Sequence, residues 1–183
     1  MTLTTTPPTA TRERARVSIR PIDVVDAGGL SDFYASLSPE SRARRFFGAC
    51  RGISEAEAQR FASVDHDRDD GYLAVIAEPG PADGQIVGHA TLTSAGDAPP
   101  EIAFAVADAW QGQGIGTDLL RTVVRAAERR GLPRVRAMLL ADNLGMRRLL
   151  ARAGRPWRVI GGDGSFIEVE IDLEPVTVAG SMS

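Results

Sequence analysis

Two neighbouring stretches hold residues whose types and spacing suit chemistry. The first is Gln111-Gly112-Gln113-Gly114-Ile115-Gly116-Thr117. Its alternating glycines leave backbone N–H groups uncovered by side chains. Gly114 and Gly116 fall where a helix begins, so free donors and the positive end of a helix dipole face one spot. Such a spot binds anions, and a pyrophosphate suits it; a glycine-rich turn from strand to helix is the plain alternative. The second stretch is Glu101-Ile102-Ala103-Phe104-Ala105-Val106, an apolar run that reads as a strand. Alternation puts Glu101, Ala103 and Ala105 on one face, where small side chains leave room beside a carboxylate. Ile102, Phe104 and Val106 fill the other face. A carboxylate there can take the proton of an ammonium group, whose pKa is about 10.4, directly or through water. A solvated glutamate following Pro99-Pro100 is equally open on these residues alone.

The surrounding elements must place these stretches. Helical spacing of Leu119, Leu120, Val123, Val124 and Ala127, with Gly131 and Pro133 as stops, predicts a helix opening at the glycines. Before the site come a strand from Val17, a helix over Asp23 to Leu37 and a helix capped at Ser38-Pro39-Glu40. The last of these carries Arg42, Arg44, Arg45, Phe46 and Phe47. Ser54-Glu55-Ala56-Glu57 is a capping box. Tyr72 to Ala77 and Gln85 to Thr93 form a hairpin, with His89 expected as a half-exposed strand residue. After the site come a strand over Val135 to Leu140, a helix from Asp142-Asn143 to Gly154, and strands over Trp157 to Ile160 and Phe166 to Ile171. That order predicts an α+β domain with a mostly antiparallel sheet and one crossover helix. Residues 1–14 read as a disordered arm, 15–174 as one domain and 175–183 as a loose tail.

Composition narrows the function. A chain of 183 residues suits one domain, and a formal net charge of −3 gives no footprint for nucleic acid. Every basic residue is arginine, so the chain offers no lysine for modification. Cys50 is the sole cysteine, so no intrachain disulfide forms and a cytoplasmic location is expected. No apolar run reaches the length of a membrane span and no signal peptide is visible, so no membrane partner is expected. Asp65-His66-Asp67 reads as a solvated loop, and no metal is expected.

Gln111-x-x-Gly114-x-Gly116 resembles the acetyl-CoA motif of the GNAT family of N-acetyltransferases, and the segment from Asn143 through Arg152 to Gly154 resembles its second motif. Leu37-Ser38-Pro39-Glu40-Ser41, Arg45-Phe46-Phe47 and Glu101-Ile102-Ala103-Phe104 resemble the catalytic domain of actinobacterial Pat-type protein lysine acetyltransferases. The resemblance implies a GNAT fold with its sheet splayed at the acetyl-CoA site, and acetyl-CoA as co-substrate. It implies that Phe104, Ala105 and Val106 pair with the pantetheine arm and that the Val106 N–H polarises the thioester carbonyl. Gln111, Gly112, Gln113, Gly114, Ile115, Gly116 and Thr117 would form the pyrophosphate loop. Asn143 matches the asparagine that binds pantetheine, with a helix cap as the alternative, and Arg152 matches a basic residue near the CoA phosphates. Glu101 becomes the general base. The acceptor would be a protein lysine, such as one on an acyl-CoA synthetase, or a small amine. One departure is Leu150, which stands where many members carry a tyrosine that protonates the thiolate. With a thiol pKa of about 8.5 the thiolate can leave without a dedicated acid. Cys50 has no paired base for an acyl intermediate, so direct transfer is expected.

Two other classes compete. A dinucleotide fold needs glycine where Thr117 stands. A non-catalytic acetyl-CoA-binding module would tolerate Leu150, and turnover separates it from an enzyme.

Overall fold

The computed structural model describes residues 16–48, 51–96 and 98–173. The expected arm, the tail and Cys50 lie outside them. The described chain runs β1 (Val17–Pro21), α1 (Ala27–Ser36), α2 (Pro39–Phe46), α3 (Glu55–Ala62), β2 (Asp70–Ile76), β3 (Ile86–Ala95), β4 (Ala98–Val106), α4 (Ile115–Arg129), β5 (Arg134–Leu140), α5 (Leu144–Arg152), β6 (Trp157–Gly162) and β7 (Phe166–Asp172). Short 3₁₀ turns at Val24–Asp26 and Asp108–Trp110 precede α1 and the glycine loop. The seven strands form one sheet in the order β1-β2-β3-β4-β5-β7-β6. Neighbours are antiparallel except β4 and β5, which are parallel and joined by the α4 crossover. The expected α+β architecture is present.

Two apolar clusters sandwich the sheet. One holds Leu119, Leu120, Val123, Val124 and Ala127 of α4 with Leu150 of α5 and Ile102, Val135 and Val169 of the strands. These α4 residues recur at the helical period, and each buried aliphatic side chain contributes roughly 1.5–3 kcal/mol. Gly88 permits the close approach of α4: a Cβ there would lie 3.0 Å from Leu119 Cδ1 and 3.2 Å from Ala74 Cβ. The opposite cluster holds Leu30, Phe33, Tyr34 and Leu37 with Leu73, Val75 and Ala105, and Phe46 of α2 packs against it.

Three expectations need correction. The first helix is shorter than Asp23 to Leu37, because Asp23 and Asp26 close a capping box on the 3₁₀ turn. Strand β4 begins at Ala98 and so includes both prolines. His89 is not half-exposed but fully buried, on a strand covered by helices on both faces. Its Nδ1 lies 2.9 Å from the Tyr34 hydroxyl, and its ring stands edge-on to Phe61 at 5.6 Å. Burial, then the nearby Arg45 charge, pushes its pKa down to about 3.

That depression makes stability depend on pH. The unfolded chain binds a proton on His89 below about pH 6.5 while the folded chain does not until about pH 3. Stability is therefore full above pH 6.5 and falls through that window, by up to about 1.4 kcal/mol per pH unit from this group. Urea unfolding at stepped pH should show this slope in the wild type and a flatter one in His89→Gln. Parallel slopes in the two proteins would remove His89 as its source.

Candidate active site

The site is a parting in the sheet. Strands β3 and β4 stay in register from Thr93–Glu101 to Gly88–Val106, and β5 pairs with β7 along its whole length. Between β4 and β5 a single pair, Glu101 with Arg136, is in register. Beyond it the strands part. The cleft is about 390 Å³ and runs between Ile102–Val106 and Met138–Leu139, with the glycine loop and α5 at one side and α2 at the other.

Backbone geometry shows what β4 offers to this cleft. The Ala107 N–H donates to Val87 O at 2.9 Å. In an antiparallel ladder such bonds recur at every second residue, so residues 105, 103 and 101 also bond toward β3. The N–H and C=O groups of Phe104 and Val106 therefore point into the cleft. Val106 O accepts from Gln111 Nε2 at 3.1 Å, which fixes the loop to the end of β4.

Left-handed backbone at Gly112 (φ 73°) and Gly114 (φ 95°) turns the chain onto α4. An L side chain at that angle costs about 1–2 kcal/mol, so glycine belongs at both positions. The N–H groups of Gln113, Gly114, Ile115 and Gly116 have no acceptor among the described residues. They converge at the helix N-terminus, where an anion is stabilised. Thr117 departs from the expected set of donors, since its N–H already bonds Gly114 O at 2.9 Å.

Of the residues named from the sequence, Phe104, Ala105, Val106, Gln111, Gly112, Gly114, Gly116, Thr117, Asn143 and Arg152 line the cleft. Ile115 contributes only backbone, because its side chain enters the core. The Gln113 side chain turns back to Ala109 O at 3.0 Å. Asn143 caps α5, its Oδ1 accepting the Met146 N–H at 3.0 Å, and also lines the cleft. Glu101 is exposed and stands outside the lining, roughly 10 Å along the strand from Phe104. Leu150 is buried against α4, which leaves no polar group at that position.

Several site residues escaped the sequence reading. Asp108 accepts from Ser38 N, Ser38 Oγ and Ser41 Oγ at 2.9, 2.7 and 2.8 Å. These bonds hold its carboxyl below the usual range against the opposing pull of burial. Gln111 Nε2 also donates to Ser41 Oγ at 3.0 Å. The start of α2 is thus fastened to the loop that follows β4, and Ser41, Arg44, Arg45 and Phe47 become cleft residues. Arg148 joins Arg152 on α5. The sequence had marked the Ser38 cap and the Leu37–Ser41 and Arg45–Phe47 segments, but not their contacts with Asp108 and Gln111.

Comparison with known proteins agrees with this geometry. Residues 16–155 match the family model of the acetyltransferase (GNAT) domain. Acetyltransferase Pat of Mycolicibacterium smegmatis is 30% identical over 184 residues, covering 90% of this chain and 53% of that protein. The chain therefore spans about half the length of that relative. The crystal structure of the GNAT domain of S. lividans PAT is 29% identical, with a TM-score of 0.74, over 85% of this chain and 89% of that one. A structure from Salmonella typhimurium that contains acetyl-CoA as its cofactor shares the fold at 16% identity, with a TM-score of 0.67 over 91% and 99% of the two chains. A parted β4–β5 seam ending in a glycine loop with unpartnered donors, together with a family match over most of the chain, shows that this protein belongs to the GNAT acetyltransferase family.

Proposed function

We propose that this domain transfers the acetyl group of acetyl-CoA directly to an amine, with Glu101 as general base, and that the amine is a protein lysine. The observation that carries the transfer is the β4 edge: Phe104 and Val106 present backbone groups to a narrow cleft that starts at an anion site. An extended pantetheine arm would pair there like an added strand. Its pyrophosphate would take the N–H groups of Gln113 to Gly116, with Arg148 and Arg152 alongside. A thioester carbonyl in the cleft would meet the Phe104 or Val106 N–H, which stabilises its oxygen as charge develops.

In this reading Glu101 accepts a proton from the ammonium of the acceptor through water, as its distance along β4 requires. The amine nitrogen bonds the carbonyl carbon. On collapse the C–S bond breaks, and the second nitrogen-bound proton neutralises the CoA thiolate. Leu150 offers no acid, and a thiolate does not need one. Support for a protein lysine comes from the Pat relatives and from α2, whose Ser38 to Phe47 segment stands at the acceptor side of the cleft. A small amine acceptor is the second reading, because the cleft is open to small molecules as well. Incubation with acetyl-CoA and an acyl-CoA synthetase, read by peptide mass spectrometry, separates them. A single modified lysine supports the first, and an unmodified protein beside an acetylated small amine supports the second.

Two substitutions test the machinery. Glu101→Gln should keep its affinity for acetyl-CoA and lose about 10²–10⁴-fold in kcat, with partial recovery at higher pH, where free amine is more abundant. Full thiol release at neutral pH would show that Glu101 is not the base. Gly114→Ala should weaken CoA binding at least about tenfold by calorimetry, because a side chain strains the turn that aims the N–H groups. Gly131→Ala is the matched control, left-handed at φ 70° but outside the cleft, and should lower Tm with CoA affinity unchanged. Equal CoA affinity in both variants would move the pyrophosphate elsewhere.

A further inference from the structure

Among the described residues the cleft is lined by Arg44, Arg45, Arg148 and Arg152 and by no aspartate or glutamate, in a chain of net charge −3. The four arginines divide between the faces of the sheet. Arg148 and Arg152 sit on α5, whose Leu149 and Leu150 pack with α4, on the side of the glycine loop. Arg44 and Arg45 sit on α2, whose Phe46 packs into the opposite cluster. The CoA phosphates account for the first pair. They do not account for the second, which stands across the seam at the face shared by Glu101, Ala103 and Ala105.

Arg45 is singular among these. Of the partly buried arginines, Arg20, Arg44, Arg130, Arg136 and Arg155 each face a carboxylate within 3.6 Å. Arg42 donates to the carbonyls of Ala35 and Leu37. Arg45 has no carboxylate partner among the described residues, and its Nε is buried without a hydrogen bond. Its guanidinium lies over the rings of Phe46 at 5.0 Å and Phe61 at 5.8 Å. Ring faces offset only part of the cost of withdrawing a cation from water, and buried charges are normally paired. The guanidinium also hydrogen-bonds the buried Tyr34 hydroxyl, a neutral partner, and the rest of its planar fork matches a carboxylate in two-point contact.

We propose that Arg45, with Arg44 beside it, is an acceptor-side carboxylate site: the amine acetylated here carries a carboxylate close to its reacting nitrogen. This rests on the acetyltransferase reading and names the acceptor class within it. The carboxylate comes either from an acidic residue flanking a lysine or from a free amino acid. In both, the acid docks on Arg45 and the amine is directed over Ala103 toward the thioester, on the face where Glu101 stands.

Two matched pairs of acceptors test it in the wild-type protein with acetyl-CoA, read as thiol release. One pair is the end-blocked peptides Ala-Glu-Lys-Glu-Ala and Ala-Gln-Lys-Gln-Ala. The other is L-lysine and cadaverine, which differ only by the carboxylate. The acidic member of at least one pair should have a kcat/KM about ten- to a hundredfold higher, as expected for a charge-assisted contact. A peptide preference assigns the acid to a protein, and a preference for lysine assigns it to a small molecule. In Arg45→Gln the ratio should collapse toward one while CoA affinity by calorimetry is unchanged. Should that variant not fold, added salt provides the second reading, lowering the ratio in the wild type by screening. Neutral members that match or exceed the acidic ones in both pairs overturn the carboxylate site and leave the transferase reading intact. No thiol release from any amine overturns both.

Discussion

The constraint on which the site depends is the single register pair between Glu101 and Arg136. Each half of the sheet is fully laddered within itself, β4 to β3 and β5 to β7. The halves meet at one end of the seam, and past it the inner edge of β4 keeps free N–H and C=O groups. A bare strand edge invites pairing with any extended chain. Here that edge is interior, bordered by α2, α4 and α5. The defect in the sheet and the cleft are the same feature.

Holding the seam open requires both sides to be fixed independently. On one face α4 lies close on β3 because Gly88 has no side chain. On the other face α2 makes few contacts with the core, and its start is held by Asp108 and Gln111 through Ser38 and Ser41. Both of those residues belong to the loop that leads to the anion site. The same short loop therefore sets the unpartnered N–H groups and the position of the helix that carries Arg44 and Arg45. The two sides of the cleft are coupled through a few hydrogen bonds rather than through a shared apolar core.

How much was legible follows from sequence range. The glycine loop, the caps at Ser38 and Ser54 and the α4 stripe are local, and each stood where it was expected. The facing of Glu101, Ala103 and Ala105 followed from alternation, whereas the exchange of β6 and β7 in the sheet order had no signal in the sequence reading. His89 was misplaced because β2 and the middle of β3 are buried on both faces, so period-two patterning carries no side information there. The contacts of Asp108 with Ser38 and Ser41 span about seventy residues and had no local trace. The lack of a counter-ion at Arg45 among the described residues is likewise invisible in sequence, where acidic residues abound and only the fold decides which of them arrive.

The charges on the face of the sheet that carries Glu101 complete the physical picture. Arg136 is engaged by Glu168 at 3.3 Å and Glu170 at 3.6 Å, and Glu170 also pairs with Arg158. In register, Glu101, Arg136, Glu170 and Arg158 form an alternating row across β4, β5, β7 and β6. Arg136 is thus committed to β7, which leaves Glu101 at the end of the row with its neighbouring cation already shared. Arg45 is the converse case, a cation whose neighbours are rings and hydroxyls. The balanced row and the unbalanced arginine lie on the same side of the sheet, one beside the seam and one above it. One face of the sheet thus holds both a row of charges that satisfy one another and, on α2, a cation that no described carboxylate reaches.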